Sequence, residues 1–447
     1  MNEALFLRPA DLDYLKNALA EGACCSIVGL SNIGKSMLLR AAADITSASM
    51  LNVYVDCNLM PALTDRSFYE VTLRAVLDAV RRLGKKVPVK ALNRLETLYR
   101  QVIDAEQPIV PALSFNDSIS LLCEQLDRRV TLLFDEFDGP FSTLDGRVFL
   151  NLRALHDKFE SLTYVTATGV PLVERRREAE AEAEAGEFCE LFVGHQLVLG
   201  MLDEVMARRA VLAWTKEDDY PLAPNEVEFI VAQAGGHPGL LRRATQQVAH
   251  FLSGVPSGVR PQALTIAREK LESDSEIRNE CAKLWIYLQL AEQEALLQLL
   301  GASDDQPASL ILDDLLAKGV LLAGQPPRVF GELFAAYLNR QRRIRQPARA
   351  GVFLDDEAGE AWVDGERVPE LTDLEFRLLK LLYGRLGKIC DKYQIVVAVW
   401  GQAYIDEVDD ARIEKLISRL RSKIERDPAN PKYLSTVRGR GYKLAAV

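Results

Sequence analysis

The chain has 447 residues, of which 48% are hydrophobic and 26% are charged, and its formal net charge is −10. This length predicts about three domains with hydrophobic cores, and the acidic balance argues against a protein that coats nucleic acid non-specifically. The seven cysteines and four histidines are scattered, so the sequence offers neither a disulfide framework nor a zinc site. No signal peptide is visible, and no apolar run approaches the roughly 18 residues that span a bilayer. We therefore expect a cytoplasmic protein with no membrane partner.

A helical pattern at 11–20 leads to the first motif of the chain, the sequence GLSNIGKS at 29–36. This sequence fits the phosphate-binding pattern G-x-x-x-x-G-K-[ST]. The apolar run before it and the helix formers after it predict the strand and the helix that such a loop connects. Glycines let backbone amides approach phosphate groups. We expect ATP as the ligand, with Lys35 on the β- and γ-phosphates and Ser36 on Mg²⁺. The residues of this motif that we expect to bind the nucleotide are Gly29, Ser31, Asn32, Ile33, Gly34, Lys35, Ser36 and Met37.

The next segments alternate between strand and helix patterns, which is typical of a parallel sheet covered by helices. Strands are predicted at 50–56 and 162–168, and the segment 129–138 is predicted to be an apolar strand that ends in two carboxylates. The helices predicted between them lie at 66–83, 89–104, 116–128 and 145–160, and a loop is predicted at 107–111, where the sequence contains two prolines.

Two acidic residues, Asp135 and Glu136, stand at the end of the apolar strand in the segment 129–138. Because the carboxyl ends of parallel strands lie beside the nucleotide in a doubly wound sheet, we expect Asp135 to hold Mg²⁺ and Glu136 to polarise the attacking water. A solvated acidic loop is the alternative, and the phosphate loop makes it less favoured. Thr168 ends the next strand, where it either senses the γ-phosphate or is an ordinary strand-end threonine. The expected catalytic residues are Lys35, Asp135, Glu136 and Thr168.

The chain from 174 to 345 is mainly helical in pattern. Arg175–Arg177 precede an Ala/Glu run and are favoured as i,i+4 partners of its glutamates, the alternative being an arginine that reaches a neighbouring subunit's nucleotide. Helices predicted at 202–214, 225–234 and 238–252 form a lid, interrupted by the break at Gly235–Gly239. The helices that follow end in a β-turn-β pattern, which predicts a winged-helix-like unit.

The C-terminal residues have a different pattern. Short strand segments predict a meander, and Thr372 and Glu375 form a capping box at the start of a helix. Further helices are predicted at 392–399 and 408–425, and a hairpin at 433–444. The segment 411–426 carries six basic residues against two acidic ones. Such a local positive stripe on an acidic protein is what a DNA-recognition helix requires.

Residues 1–345 resemble the STAND branch of the AAA+-like P-loop ATPases. The resemblance lies in Arg8–Pro9 near the N-terminus, in the phosphate loop, in Asp135–Glu136 and in Gly236–Pro238. It implies that Arg8 and Pro238 also bind the nucleotide, with the proline packed beside the adenine. It further implies that ATP binding and hydrolysis control a signalling switch, often through self-association.

Residues 351–447 closely resemble the OmpR/PhoB-type winged-helix effector domain. The segments that carry the resemblance are Leu371–Leu379, Val399–Gly401, Ile417–Lys423 and Thr436–Tyr442. The resemblance implies that the helix at 411–426 enters the major groove of double-stranded DNA and that the terminal hairpin touches the minor groove. The DNA-binding residues that it implies are Arg412, Lys415, Arg419, Thr436, Arg438 and Arg440.

Two features of this helix leave an alternative open. Ala411 and Leu416 stand where family members often place polar, base-reading side chains, and an exposed Leu416 would suit a protein groove better than a phosphate backbone. Local carboxylates are alternative partners for Arg421 and Lys423. We favour DNA binding over a winged helix that docks on a protein partner.

These interpretations predict an α/β P-loop NTPase core with a helical lid, followed by two winged-helix domains. The predicted segments are a core at 1–198, a lid at 199–260, a winged-helix-like domain at 261–345, a linker at 346–350 and the OmpR/PhoB-type domain at 351–447. We expect an ATPase that acts as a switch for a transcriptional regulator. One alternative is a signalling or defence NTPase with a protein partner, and another is an AAA+-type loader that assembles on DNA.

Overall fold

The structure is a computed structural model, and it describes residues 8–45, 49–84, 87–126, 128–174, 179–217, 220–300, 308–345, 351–355, 359–404 and 407–445. Backbone contacts divide the chain into two compact units, Met1–Tyr337 and Leu338–Val447. The predicted partners Arg175–Arg177 and the predicted linker 346–350 lie outside the described residues. Among the residues that are described, no helix has the length and apolar composition that crossing a membrane requires.

A five-stranded parallel sheet forms the centre of the first unit. Its strands are β1 (Cys25–Gly29), β2 (Met50–Asp56), β3 (Arg129–Asp135), β4 (Leu162–Thr168) and β5 (Gln196–Leu199). The strand order is β2-β3-β4-β1-β5, so β4 lies between β1 and β3. The carboxyl ends of these three neighbouring strands therefore meet at one edge of the sheet, where ligands bind in folds of this kind.

Helices cover both faces of this sheet, because alternate residues of its strands enter two different hydrophobic cores. In β4, Leu162 and Tyr164 belong to one core, and Val165 and Ala167 belong to the other, as the period of two in a strand requires. The helices of this part are α1 (Pro9–Glu21), α2 (Lys35–Ala43), α3 (Asp65–Leu83), α4 (Val89–Ile103), α5 (Ile109–Gln125), α6 (Asp138–Thr143), α7 (Gly146–Lys158) and α8 (Ala179–Cys189).

The rest of the first unit is mainly helical. Its elements are α9 (Glu204–Glu217), α10 (Pro224–Ala234), α11 (Pro238–Ser253), α12 (Arg260–Ser273), α13 (Ser275–Tyr287), α14 (Leu290–Leu299), α15 (Ser309–Ala317) and the antiparallel strands β6 (Leu321–Leu322) and β7 (Arg328–Val329). The helix α16 (Glu332–Arg345) begins in the first unit and ends in the second. Two glycines between α10 and α11 permit close packing. A Cβ atom on Gly235 would lie 2.2 Å from the Phe330 carbonyl oxygen, and one on Gly236 would lie 2.0 Å from that of Leu202.

After α16, the described residues of the second unit form three α-helices and two small antiparallel sheets. The strands β8 (Val352–Asp355), β9 (Glu360–Val363) and β10 (Glu366–Arg367) form the first sheet, and β11 (Ile389–Cys390), β12 (Leu434–Val437) and β13 (Gly441–Leu444) form the second. The helices are α17 (Asp373–Tyr383), α18 (Lys392–Val399) and α19 (Asp410–Ile424). The capping box is confirmed, since the Glu375 carboxylate accepts a hydrogen bond from the Thr372 backbone amide at 2.9 Å.

The sequence predicts most of these elements correctly, and β2 and β4 have the predicted bounds. The predicted loop at 107–111 is wrong, because α5 begins at Ile109. Pro111 lies in the first turn of α5, where a backbone N–H has no helical acceptor and a proline is therefore tolerated. The short strand β5 was not predicted, since its residues are only partly buried and give a weak pattern. The predicted core boundary at 198/199 falls inside this strand.

Phe137 packs at the centre of the larger core, directly after the two acidic residues. Its ring centroid lies within 6.3 Å of the ring centroids of five other phenylalanines, and its backbone amide donates to the Ala167 carbonyl oxygen at 3.0 Å. The aromatic cluster therefore anchors the segment that carries Glu136.

We expect Phe137→Ala to lower the free energy of unfolding by about 3–5 kcal/mol, because it removes a fully buried ring and leaves a cavity. Urea denaturation followed by circular dichroism measures this change. Phe137→Leu is the control, with an expected loss of less than about 1.5–2 kcal/mol. A loss below about 1 kcal/mol for the alanine variant would contradict the anchoring role.

Candidate nucleotide site and nucleic-acid interface

The predicted phosphate loop connects β1 to α2, as the sequence predicts. Its backbone takes the left-handed conformation at Asn32 (φ 52°) and at Gly34 (φ 111°). A Cβ atom on Gly29 would lie 2.9 Å from Cγ2 of Ile33 and 3.0 Å from the Leu199 carbonyl oxygen. Glycine is therefore required at position 29 by close packing and at position 34 by backbone conformation.

Lys35 lies at the base of this loop, and only 7% of it is exposed. Its ammonium group donates hydrogen bonds to the carbonyl oxygens of Gly29 at 2.6 Å and Leu30 at 2.9 Å. Since an ammonium group has three N–H donors, one remains for a phosphate oxygen. Burial lowers the pKa of Lys35, and the negative charges of Glu136, Asp138 and Asp135 oppose this shift.

Asp135 ends β3 and is 2% exposed. One carboxylate oxygen accepts a hydrogen bond from the Tyr54 hydroxyl group, with an oxygen–oxygen distance of 2.6 Å. The other oxygen accepts a hydrogen bond from the Glu136 backbone N–H, with a nitrogen–oxygen distance of 3.0 Å. Glu136 has a left-handed backbone (φ 52°) and is half-buried. Burial raises the pKa of Glu136, and the neighbouring Lys35 opposes the rise. A carboxylate with a raised pKa is suited to accept a proton from an attacking water molecule.

Thr168 ends β4, between the strands that carry the phosphate loop and Asp135. Its side chain is fully buried, and its hydroxyl oxygen forms no hydrogen bond with any residue that the structure describes. Buried hydroxyl groups normally have a partner. This hydroxyl group, the remaining donor of Lys35 and the oxygen ligands Ser36 and Asp135 fit a nucleotide with Mg²⁺, since Mg²⁺ prefers hydroxyl and carboxylate oxygens.

A cleft of about 570 Å³ lies over the loop. It is lined on one side by residues of the loop and by Glu136, and on the other side by residues of α9, α11 and α13. Pro238 is among the residues that line this cleft. The lid also contributes Trp214, Arg242, Arg243 and Gln246, and α13 contributes Glu276, Asn279, Glu280 and Lys283.

Arg8 lies behind the phosphate loop. Its guanidinium group donates to the carbonyl oxygens of Ile33 at 2.8 Å and Gly200 at 2.7 Å, and it pairs with Asp11 at 3.1 Å. Burial lowers the pKa of Arg8, and Asp11 opposes this shift. These contacts hold the loop against the end of β5, whereas the resemblance implies a contact with the nucleotide itself.

His237 of the lid and Glu280 of α13 bind the tip of the phosphate loop. The Nδ1 atom of His237 accepts a hydrogen bond from the Leu240 backbone amide at 3.1 Å, so its ring proton lies on Nε2 and is donated to the Ser31 carbonyl oxygen at 2.8 Å. The Asn32 side-chain amide donates to both carboxylate oxygens of Glu280, at 2.7 and 2.8 Å. The loop is therefore joined to the lid by α11 and to the following helical segment by α13.

Sequence reasoning did not assign roles to Tyr54, His237 or Glu280. His237 stands inside the glycine-rich break that the sequence marks, and α11 begins beside it. No motif in the sequence around Tyr54 or Glu280 indicates that these residues belong to the site. Their contacts depend on the pairing of β2 with β3 and on the packing of α13 against the loop.

The helix α19 has one apolar face and one basic face. Its buried residues are Ile413, Leu416, Ile417, Leu420 and Ile424. The predicted DNA-binding residues Arg412, Lys415 and Arg419 are exposed, and their spacing places them on one side of the helix. Among the described residues, the ion pairs of α19 involve Asp410 and Lys423 rather than these three side chains.

The prediction of an exposed Leu416 is wrong. This side chain is 5% exposed and belongs to the core of the second unit, because it follows Ile413 by three residues on the apolar face. Leu416 therefore neither replaces a base-reading side chain nor forms a surface for a protein partner. Ala411 is exposed, as expected.

The hairpin β12–β13 carries the other predicted DNA-binding residues. Thr436, Arg438 and Arg440 are exposed, and the two arginines flank the turn at Gly439. Arg421 of α19 donates to the Thr436 hydroxyl oxygen and to the Leu434 carbonyl oxygen, both at 2.8 Å. This contact fixes the helix against the hairpin. Lys423 pairs with Glu375 at 2.8 Å, so a carboxylate partner is confirmed for Lys423 and not for Arg421.

Residues 365–444 match the family described as "Transcriptional regulatory protein, C terminal". The C-terminal winged helix belongs to this OmpR/PhoB-type family. The transcriptional-regulator domain therefore includes α19 and the terminal hairpin, which carry all six predicted DNA-binding residues. The resemblance inferred from the sequence motifs is confirmed for this part of the chain.

Relatives with this domain include the uncharacterized transcriptional regulatory protein YrkP of Bacillus subtilis, 41% identical over 93 residues, which are 21% of this chain and 39% of YrkP. The sensory transduction protein RegX3 of Mycolicibacterium smegmatis is 41% identical over 118 residues, covering 23% of this chain and 51% of RegX3. The chain thus spans about half or less of the length of these relatives. The Walker-type ATPase PABY2304 of Pyrococcus abyssi is 15% identical with a TM-score of 0.47, covering 75% of this chain and 97% of its own.

The buried His237 makes a specific contribution to the pH dependence of stability. Burial lowers the pKa of His237 from 6.5 to about 4, and its hydrogen bond to Ser31 opposes the shift. The unfolded chain therefore binds more protons than the folded chain between these two values. The contribution of the neutral ring is present above pH 6.5 and is lost as the pH falls towards 4.

We expect the parent chain to lose about 2 kcal/mol more of its unfolding free energy between pH 7 and pH 5 than His237→Asn does. The asparagine keeps an oxygen for the N-cap but does not titrate. Urea denaturation at both pH values measures the difference. Equal losses in the two proteins would show that the His237 ring is not held neutral by the fold.

Proposed function

We propose that this chain is an ATP-dependent switch that controls a DNA-binding transcriptional regulator. The observation that carries the proposal is the direct binding of the phosphate loop by His237 of the lid and by Glu280 of α13, in a chain whose residues 365–444 belong to a transcriptional-regulator family. The domain arrangement that we propose keeps the predicted boundaries at 260, 345 and 350 and moves the end of the core from 198 to the end of β5 at Leu199.

In this proposal the loop residues and Lys35 bind the phosphates of ATP, and Ser36 and Asp135 hold Mg²⁺. The metal ion would supply positive charge to stabilise the charge that develops on the phosphates. Glu136 would accept a proton from the attacking water, as its raised pKa favours. The hydroxyl group of Thr168 would bind an oxygen of the γ-phosphate.

Nucleotide binding would change the contacts of the lid and of α13 through the phosphate loop. Phosphates approach the backbone of Ser31 and Asn32, and these two residues bind α11 and α13 on the other side. A change in the loop would therefore change the free energy of lid contact. A population shift of this kind requires that the ligand bind the two arrangements with different affinities, and we propose that self-association on ATP binding follows from it.

The output would be DNA binding by the second unit. The exposed side chains Arg412, Lys415 and Arg419 are suited to the major groove, and Arg438 and Arg440 to the adjacent backbone or minor groove. The relatives that carry this domain are described as regulatory or sensory transduction proteins, which supports a role in transcription. The protein-docking alternative relied on an exposed Leu416, and that side chain is buried.

The first test is DNA binding by the full chain, titrated against salt. We expect the double variant Arg419→Ala/Arg438→Ala to weaken binding and to reduce the slope of log K against log salt by about 2, since each lost phosphate contact removes about one counterion. The control is Arg377→Ala, which removes a positive charge from α17, outside the proposed interface. No binding to any duplex at low salt would contradict the regulator proposal.

The second test concerns the nucleotide. We expect Lys35→Ala to abolish binding of a fluorescent ATP analogue, and Glu136→Gln to keep binding but to lower the rate of phosphate release by about 10²–10⁴-fold. ATP should change the DNA affinity of Glu136→Gln and leave that of Lys35→Ala unchanged. Hydrolysis by Glu136→Gln at the parental rate would rule out Glu136 as the base.

A further inference from the structure

The side-chain hydroxyl group of Tyr54 donates a hydrogen bond to the Asp135 carboxylate. The distance between the two oxygens is 2.6 Å. The same hydroxyl oxygen accepts a hydrogen bond from Nε of Arg40 at 3.1 Å. The guanidinium carbon of Arg40 lies 5.1 Å from the centroid of the Tyr54 ring, so the arginine holds both the ring and its hydroxyl group.

The contact between Arg40 and Tyr54 connects two elements of the candidate nucleotide site. Arg40 is on α2, four residues after Ser36, so the two side chains lie on the same side of that helix. Tyr54 is on β2, which pairs with β3 in the register Asp56 to Asp135. Two consecutive hydrogen bonds therefore join the helix that carries Ser36 to the strand end that carries Asp135.

The arrangement also limits how Asp135 can rotate. One of its oxygens accepts from Tyr54 and the other from the Glu136 backbone amide at 3.0 Å. Each carboxylate oxygen has two acceptor sites, so both oxygens keep a lone pair. Partners of this type fix the orientation of metal-binding carboxylates, and their removal commonly weakens metal binding by about 10–100-fold.

We propose that Tyr54 is a positioning residue that sets the Asp135 carboxylate for Mg²⁺ and, through Arg40, holds it in register with Ser36. This inference rests on the proposed nucleotide function. Tyr54 is half-buried, and its ring lines a groove of about 1130 Å³ together with Arg40 and Asp56. Removing only its hydroxyl group leaves the packing of the ring unchanged, so Tyr54→Phe isolates the hydrogen bond.

The chain offers a matched control. Tyr99 accepts a hydrogen bond from Nε of Arg74 at 3.1 Å, the same contact that Tyr54 makes with Arg40. Tyr99 lies on α4, which carries none of the residues of the nucleotide site. Tyr99→Phe therefore removes an equivalent arginine–tyrosine contact without touching Asp135.

The experiment is a Mg²⁺ titration of the binding of a fluorescent ATP analogue to the full chain, repeated without Mg²⁺ in excess EDTA. We expect Tyr54→Phe to raise the Mg²⁺ concentration at half-maximal binding by about 10–100-fold and to leave binding in EDTA unchanged. Tyr99→Phe should match the parent chain in both measurements.

A parental Mg²⁺ midpoint in Tyr54→Phe would overturn the inference while leaving the nucleotide proposal intact. Equal weakening with and without Mg²⁺ would also overturn it, because that result would place the effect on the phosphate loop. If the parent chain itself does not bind the analogue, the proposed function fails, and this outcome is distinguished from the other two by the parent titration alone.

Discussion

The carbonyl groups of the phosphate loop are bound from outside by three side chains, and the rest of the nucleotide site depends on this. A loop that binds anions must turn its N–H groups inwards, which turns carbonyl groups outwards, where they need donors. The contacts are Lys35 to Gly29 and Leu30, Arg8 to Ile33, and His237 to Ser31. The donors come from the loop helix, from the residue before α1 and from the lid. The loop conformation is thus determined by three parts of the chain together.

The three donors differ in charge, and this difference suits the site. Lys35 and Arg8 are cations in an environment that lowers the pKa of both, and three acidic groups near Lys35 offset its burial. His237 is kept neutral by its burial, so it supplies a donor without a further positive charge. A neutral donor also avoids the desolvation penalty of a further buried cation. The lid can therefore contact the loop without competing for the negative charge of a phosphate.

Local patterns were enough to predict the loop and the strand end that form the candidate site. The phosphate loop, Asp135 and Glu136 follow short apolar strands, and strand ends and loops of this type are visible in a single sequence. The residues that hold these groups are not visible, because Tyr54, His237 and Glu280 reach them through strand order and helix packing over long sequence separations. Leu416 is a different case. The spacing from Ile413 to Ile424 places Leu416 on the apolar face of the helix. The family positions imply an exposed, base-reading side chain there, and the structure agrees with the spacing.

The charge of the chain gives a reason why the proposed switch and DNA-binding domain would be useful together. The formal net charge of −10 repels DNA at long range, so the DNA binding that we propose would depend on the few exposed basic residues of α19 and its hairpin. A small number of phosphate contacts gives modest affinity at physiological salt. Holding two such domains together makes the second binding event intramolecular and raises the overall affinity without a new contact. Because nucleotide-dependent self-association would bring about this pairing, ATP could control DNA binding without changing the surface that reads the DNA.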